Sequence, residues 1–210
     1  MPFGLGWSGY NLRVLELSLS VVLASASPRR QELLRSLVSD FTVVPADLDE
    51  SRLTSEDPWD SVQRTAREKA LFVAEKHPDA LVIAGDTVVA LPHEGGWRQL
   101  GKPATKGEAR RMLRELSGRT HTVVTGVCLR WPDGLSAFTE ATKVTFHALS
   151  DDEIRAYVAT GSPMDKAGAY GLQDESQSFI ARVEGSVSNV IGLPTERLEQ
   201  ALVDCRIGRS

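Results

Sequence analysis

Leu23-Ala24-Ser25-Ala26-Ser27-Pro28-Arg29-Arg30-Gln31-Glu32-Leu33-Leu34 joins a short apolar run, Val21 to Ala24, to a helix. The run reads as a strand that stops at two serines. Pro28 suits the first helical position, where its missing N–H costs nothing, and Ser27 is the N-cap. Arg29 and Arg30 then fall in the first turn, where the helix carries partial positive charge. Basic residues there are locally unfavourable by up to ~1 kcal/mol each. Hydroxyls, free backbone N–H groups and two guanidinium forks at one strand-to-helix turn instead suit a bound anion, most simply a phosphate. The alternative is that both arginines point into solvent.

Working outward, Phe41-Thr42-Val43-Val44 reads as a second strand ended by Pro45, followed by an acidic, polar loop. Asp57 and Pro58 open a helix whose apolar positions Trp59, Val62, Ala66 and Val73 recur at helical spacing to about Lys76. Leu81-Val82-Ile83-Ala84 has the continuous apolar character of a buried strand and ends at Gly85-Asp86-Thr87. Val88 to Leu91 and Trp97 to Leu100 suggest a hairpin around Glu94-Gly95-Gly96. Thr105-Lys106-Gly107-Glu108 has capping-box spacing and opens a helix to Leu116, and Ser150-Asp151-Asp152-Glu153 opens another to about Thr160. Between them, Thr120 to Arg130 and Ala137 to His147 read as two long strands turning at Pro132-Asp133-Gly134. Residues 161–193 hold Gly161, Gly168, Gly171, Gly185 and Gly192, more backbone freedom than a core needs, and a last helix runs from Pro194 to about Val203. Early alternation of strands and helices with a later antiparallel pair predicts an α/β fold, a mixed sheet flanked by helices.

At 210 residues, 41% hydrophobic and 25% charged, the chain is long enough for one domain with a real core. The formal net charge of −4 argues against a non-specific nucleic-acid binder. No run approaches the ~20 apolar residues of a membrane span. Cys128 and Cys205 have no metal-like spacing, which favours a reduced, cytoplasmic setting, and His77, His93, His121 and His147 form no ligand motif. Leu15 to Ala26 ends in an Ala-Ser-Ala that mimics a signal-peptide site. Arg13 is the only basic residue before it, Glu16 interrupts it, and cleavage there would cut the strand–loop–helix unit. Residues 1–18 are therefore expected to be an N-terminal extension and residues 19–205 the domain.

Several side chains have the chemistry for a site. Asp86 follows an apolar strand, where ligands of open α/β sheets gather, and a carboxylate there can bind metal or activate water; the plain alternative is a turn aspartate. Lys69 lies seven helical steps from Val62, within about 20° of the apolar face, so it must snorkel out or meet an anion. Lys102 precedes Pro103, which restricts it to extended geometry. Glu50, with Asp47 and Asp49, offers the oxygen ligands that Mg²⁺ prefers, although such clusters are usually solvated. Met164-Asp165-Lys166-Ala167-Gly168-Ala169-Tyr170-Gly171-Leu172-Gln173 combines glycines that permit close approach with an amide able to read a base edge. The set contains no nucleophile–histidine pairing and suits phosphate chemistry better than acyl transfer. It contains no P-loop run either.

The segments LASASPRRQELL, AREKA, GDTVV, GKP, LSGRTHTVVTGV, PMDKAGAYGLQ and VIGLP, in this order over residues 21–203, resemble the Maf-type nucleoside triphosphate pyrophosphatases. The resemblance implies an elongated single α/β domain with two lobes and a central cleft, often homodimeric and cytoplasmic. It implies hydrolysis of a nucleoside triphosphate between the α and β phosphates with Mg²⁺ or Mn²⁺. By motif, Asp86 takes the place of the catalytic carboxylate, as general base or metal ligand. Ser25, Arg30, Lys69 and Lys102 take phosphate-binding and transition-state-stabilising places, and Glu50 matches an acidic site residue. Arg29, Thr87 and Gln173 match positions that mark the branch acting on dTTP and UTP; the sister branch, acting on 7-methyl-GTP, typically has Gln where this chain has Thr87. Two residues depart from the pattern: Asp174 where glycine is common and Val187 where an aromatic residue is common. The competing reading is a non-catalytic nucleotide-binding regulator of septum formation and cell division.

Overall fold

In the computed structural model, which describes residues 14–46, 48 and 56–205, the anticipated strand–turn–helix is present. β1 (Val21–Leu23) leads into α1 (Pro28–Arg35), whose Ser27 cap accepts the Arg30 backbone N–H, and then into β2 (Thr42–Val43). α2 (Pro58–Ala74) starts at the Asp57 cap, which accepts the Trp59 N–H. β3 (Leu81–His93) and β4 (Gly96–Leu100) form a hairpin. α3 (Lys106–Leu116) follows, capped by Thr105, then β5 (Thr120–Trp131) and β6 (Gly134–Phe146). α4 (Asp151–Ala159) begins with a complete Ser150/Glu153 capping box. After a stretch of short 3-10 turns come β7 (Ile180–Glu184), α5 (Val187–Ile191) and α6 (Thr195–Asp204).

All seven strands belong to one mixed sheet in the order β2-β1-β3-β5-β6-β7, with β4 added to β3. β2, β1 and the start of β3 run parallel, and β3, β5, β6 and β7 are antiparallel neighbours. The pleat sorts β3 by parity. Val82, Ala84, Val88 and Ala90 face α2, whose Val62, Ala66, Ala70 and Val73 cover them. Ile83, Val89 and Leu91 face the larger core built with Leu33, Leu34, Leu113, Ile154 and Leu198 of the other helices. Small residues let α2 lie close to the sheet: a Cβ on Gly126 would fall 2.4 Å from the Val62 carbonyl oxygen.

Two expectations need correction. Residues 81–84 are not a separate short strand: β3 runs unbroken to His93, so Asp86 is inside a strand and not at its end. It stays in a strand because β5 pairs with β3 all the way from Val82 to Ala90. The glycine-containing region also holds regular structure, β7 and α5. Among the described residues, no helix is long and apolar enough to cross a membrane.

Candidate active site

The cleft begins with a split in the sheet. On the edge of β3 away from β5, β1 pairs only through Ile83 and β4 takes over only at Val89. Between them that edge has no strand partner, and a cleft of ≈560 Å³ opens there. Consecutive side chains on β3 point to opposite faces, yet Asp86 and Thr87 both line this opening.

On the α2 face, Lys69 Nζ donates to Asp86 Oδ1 at 2.8 Å, with the two residues only 5% and 9% exposed. Helical periodicity placed Lys69 on the buried face of α2, and it meets an anion there instead of snorkelling out. Gly126, opposite Asp86 on β5, removes the Cβ that would hold α2 away.

On the other face, Arg30 braces three elements. Its Nε donates to the Gly192 carbonyl at 2.8 Å, one Nη to Thr87 Oγ1 at 2.9 Å and the other to Ser25 Oγ at 3.3 Å. Thr87 Oγ1 lies 3.0 Å from Thr125 Oγ1, which donates to the Asn189 carbonyl of α5. Ser25 Oγ also accepts the Ser27 N–H, which fixes the turn after β1.

Arg29 turns the opposite way along the rim. It donates to Asp165 Oδ2 at 2.6 Å and to the Asp165 carbonyl at 3.1 Å, a contact between residues 136 apart in sequence. Lys166 lies beside it, with Nζ 2.9 Å from Asp165 Oδ1 and 3.2 Å from Asp174 Oδ2. Neither arginine of the first turn therefore points idly into solvent. The loop that follows is tightly shaped: Gly168 adopts φ +68°, Ala169 shares the left-handed region at φ +64°, and the Gly168 N–H donates to the Gly101 carbonyl. That bond ties the loop to the chain just before Lys102, which is exposed and lines the cleft, as does the exposed Gln173.

Two carboxyls of this rim are held below the usual range. Burial pushes Asp165 and Asp174 upward, but hydrogen bonds overcome it, from Lys166 and Arg29 for Asp165 and from Ser176, Tyr157 and Ser162 for Asp174. Behind the cleft, Tyr170 OH lies 2.7 Å from His121 Nε2, and burial drives the phenol upward and the imidazole down to about 3.

Ser25, Arg29, Arg30, Lys69, Asp86, Thr87, Lys102 and Gln173 thus converge on one cleft. Glu50, with Asp47 and Asp49, lies outside the described residues. Asp165 and Lys166 were not singled out as site residues from sequence, although the stretch containing them stood out; their contacts are long-range and leave no local pattern. Among the described residues, five basic side chains line the cleft against two carboxylates. Such an excess, around a buried lysine–carboxylate pair, is electrostatically complementary to a small, multiply charged anion.

The family model described as Maf-like protein matches residues 20–205, and this chain belongs to the Maf family. The dTTP/UTP pyrophosphatase of Koribacter versatilis is 47% identical over 182 residues, 87% of this chain and 92% of that protein. The dTTP/UTP pyrophosphatase of Geobacillus sp. is 46% identical over 177 residues, 84% of this chain and 93% of that protein. The one of Myxococcus xanthus is 51% identical over 174 residues, 83% and 86% of the two chains.

Proposed function

We propose that this chain hydrolyses dTTP and UTP between the α and β phosphates, releasing the nucleoside monophosphate and pyrophosphate. The observation that carries the reading is the buried Lys69–Asp86 pair at the floor of a basic cleft, in a chain similar over most of its length to proteins named for that activity.

Water attacking the α-phosphorus builds negative charge on the phosphoryl and leaving-group oxygens. Lys69 holds Asp86 through Oδ1, and the carboxylate so placed orients the water and takes its proton. Lys69 and Lys102 supply fixed positive charge to the transition state, and the Ser25 turn, braced by Arg30, receives the phosphates. Thr87, Arg29 and Gln173 set the choice of base.

Mg²⁺ or Mn²⁺ suits this donor set in one particular way. Among the described residues there is no cluster of three or more His, Cys, Asp or Glu side chains able to hold a metal ion. Mg²⁺ usually keeps several waters and binds through one or two carboxylates together with substrate phosphates. Asp86, which lines the cleft, fits a cation that arrives with the triphosphate, and the motif adds Glu50 as the second carboxylate. When bound, such an ion neutralises phosphoryl charge.

Pyrophosphate release from dTTP, UTP, CTP, GTP and 7-methyl-GTP, with Mg²⁺ or Mn²⁺ and with EDTA, tests the reading. Turnover of dTTP and UTP that EDTA abolishes is the expected result, with Asp86→Asn folded and inactive. Near-normal activity of that variant would remove Asp86 from its role, and preference for 7-methyl-GTP would refute the branch. Tight nucleotide binding without turnover would replace the enzyme with the regulator.

A further inference from the structure

Asp174 stands beside Gln173 and departs from the glycine common in the family at that place. Its side chain is the most heavily engaged carboxylate near the cleft. Oδ2 accepts from Tyr157 OH at 2.9 Å and Ser162 Oγ at 3.0 Å, and lies 3.2 Å from Lys166 Nζ. Oδ1 accepts the Ser176 N–H at 2.9 Å and the Ser176 hydroxyl. Ser176 Oγ, its one proton directed to Asp174, accepts the Gly171 N–H at 3.0 Å, so the backbone on both sides of Gln173 is pinned. Gly171 leaves room for the Lys166 stem as it crosses to Asp174: a Cβ there would fall 2.9 Å from it and displace it.

The charges then alternate across the rim: Asp174, Lys166, Asp165, Arg29. This chain connects the backbone that carries Gln173 to the first turn of α1, directly after the phosphate-receiving serines. We propose that Asp174 is a positioning residue for base recognition, holding the backbone that carries Gln173 at a fixed distance from the phosphate-binding turn through Lys166, Asp165 and Arg29. The inference rests on the cleft binding a nucleotide with its base at Gln173. Asp174 does not touch the phosphates, so its effect falls on base selectivity and not on the polyphosphate.

An amide cannot replace this carboxylate. With its oxygen toward Ser176, its NH₂ faces the Lys166 ammonium, donor against cation; turned over, the NH₂ faces the Ser176 N–H. Asp174→Asn therefore breaks the chain while conserving shape. The experiment is calorimetric titration in Mg²⁺ with α,β-imido-dUTP, α,β-imido-dGTP and inorganic tripolyphosphate. Asp174→Asn is expected to weaken the dUTP analogue about tenfold, the size of one lost charge-assisted bond. Its preference over the dGTP analogue should fall, and tripolyphosphate affinity should stay within about twofold. Tyr157→Phe removes one bond to the same oxygen and is expected to shift the dUTP analogue in the same direction by roughly threefold; it keeps the test open should Asp174→Asn not fold. Unchanged dUTP-analogue affinity in both folded variants, or an equal loss for tripolyphosphate, overturns the proposal. Wild-type protein that binds the dUTP analogue but turns over neither dTTP nor UTP defeats the pyrophosphatase reading alone, since the binding comparison stands without catalysis.

Discussion

Acidification from pH 7 to pH 5 should destabilise the fold by about 2 kcal/mol through His121 alone. His121 lies on β5 with no exposed surface, its ring edge-to-face with Phe146 and Tyr170. Nε2 meets Tyr170 OH, whose hydroxyl can donate or accept, and Nδ1 has no partner among the described residues. Burial lowers the imidazole from 6.5 to about 3, so the folded protein keeps it neutral throughout this interval. The unfolded chain takes up a proton below 6.5 and the folded one does not, so stability is complete above 6.5 and declines as pH falls toward 3. From 6.5 to 5 the difference is 1.5 pH units, at 1.36 kcal/mol per unit roughly 2 kcal/mol. Any folded value well below 5 gives the same figure. Urea unfolding of wild type and His121→Gln at pH 7, 6 and 5 isolates the effect, because both proteins share every carboxylate. Wild type should lose about 2 kcal/mol more than the variant over this range. Parallel pH dependences would refute the assignment of a neutral, buried imidazole.

Two further substitutions probe how the site is held. Lys69→Met leaves the Asp86 carboxylate buried without its cation and should cost about 3 kcal/mol in thermal or chemical unfolding; adding Asp86→Asn should recover part of that loss, and full additivity of the two would argue against a coupled pair. Gly126→Ala places a methyl group where the Val62 carbonyl now sits, pushing α2 and Lys69 away from β3. It should lower stability by roughly 1–3 kcal/mol and pyrophosphate release along with it; wild-type values for both would show that α2 has room to spare.

The parts of this molecule that were legible in the sequence are those whose causes are local. Ser27 caps α1 and Ser150 with Glu153 caps α4 because a hydroxyl meets a backbone N–H three residues away. Lys69 declared itself because helical periodicity fixes which face a residue occupies. Gly85-Asp86-Thr87 looks like punctuation within residues 81–93, but whether a strand continues there is decided by β5, some forty residues on, not by the three residues themselves. α5 spans only Val187–Ile191, shorter than any periodic signal, and its place is set by Asn189, which donates to the Val123 carbonyl and to Thr142. For Arg29 the sequence leaves an anion site and solvent as alternatives, because its Asp165 partner, 136 residues away, leaves no local pattern.

The split edge of β3 explains why one cleft can use both faces of a single strand. Inside a fully paired sheet, Asp86 and Thr87 would belong to separate environments, one under α2 and one in the main core. Because β1 stops at Leu23 and β4 begins pairing only at Val89, the cleft reaches the strand edge-on and collects both. The shortness of β1 thus keeps the site open: a strand paired to residues 84–88 would close the edge at which Asp86 and Thr87 meet the cleft and at which Arg30 bonds Thr87 and Gly192. Arg30, in turn, is at that place only because Ser27 and Pro28 start α1 at the end of β1. The stretch from Leu23 to Arg30 therefore fixes where the sheet parts, which guanidinium enters the opening, and where Ser25 lines it. A longer β1, by pairing across residues 84–88, would strengthen the sheet and abolish the site.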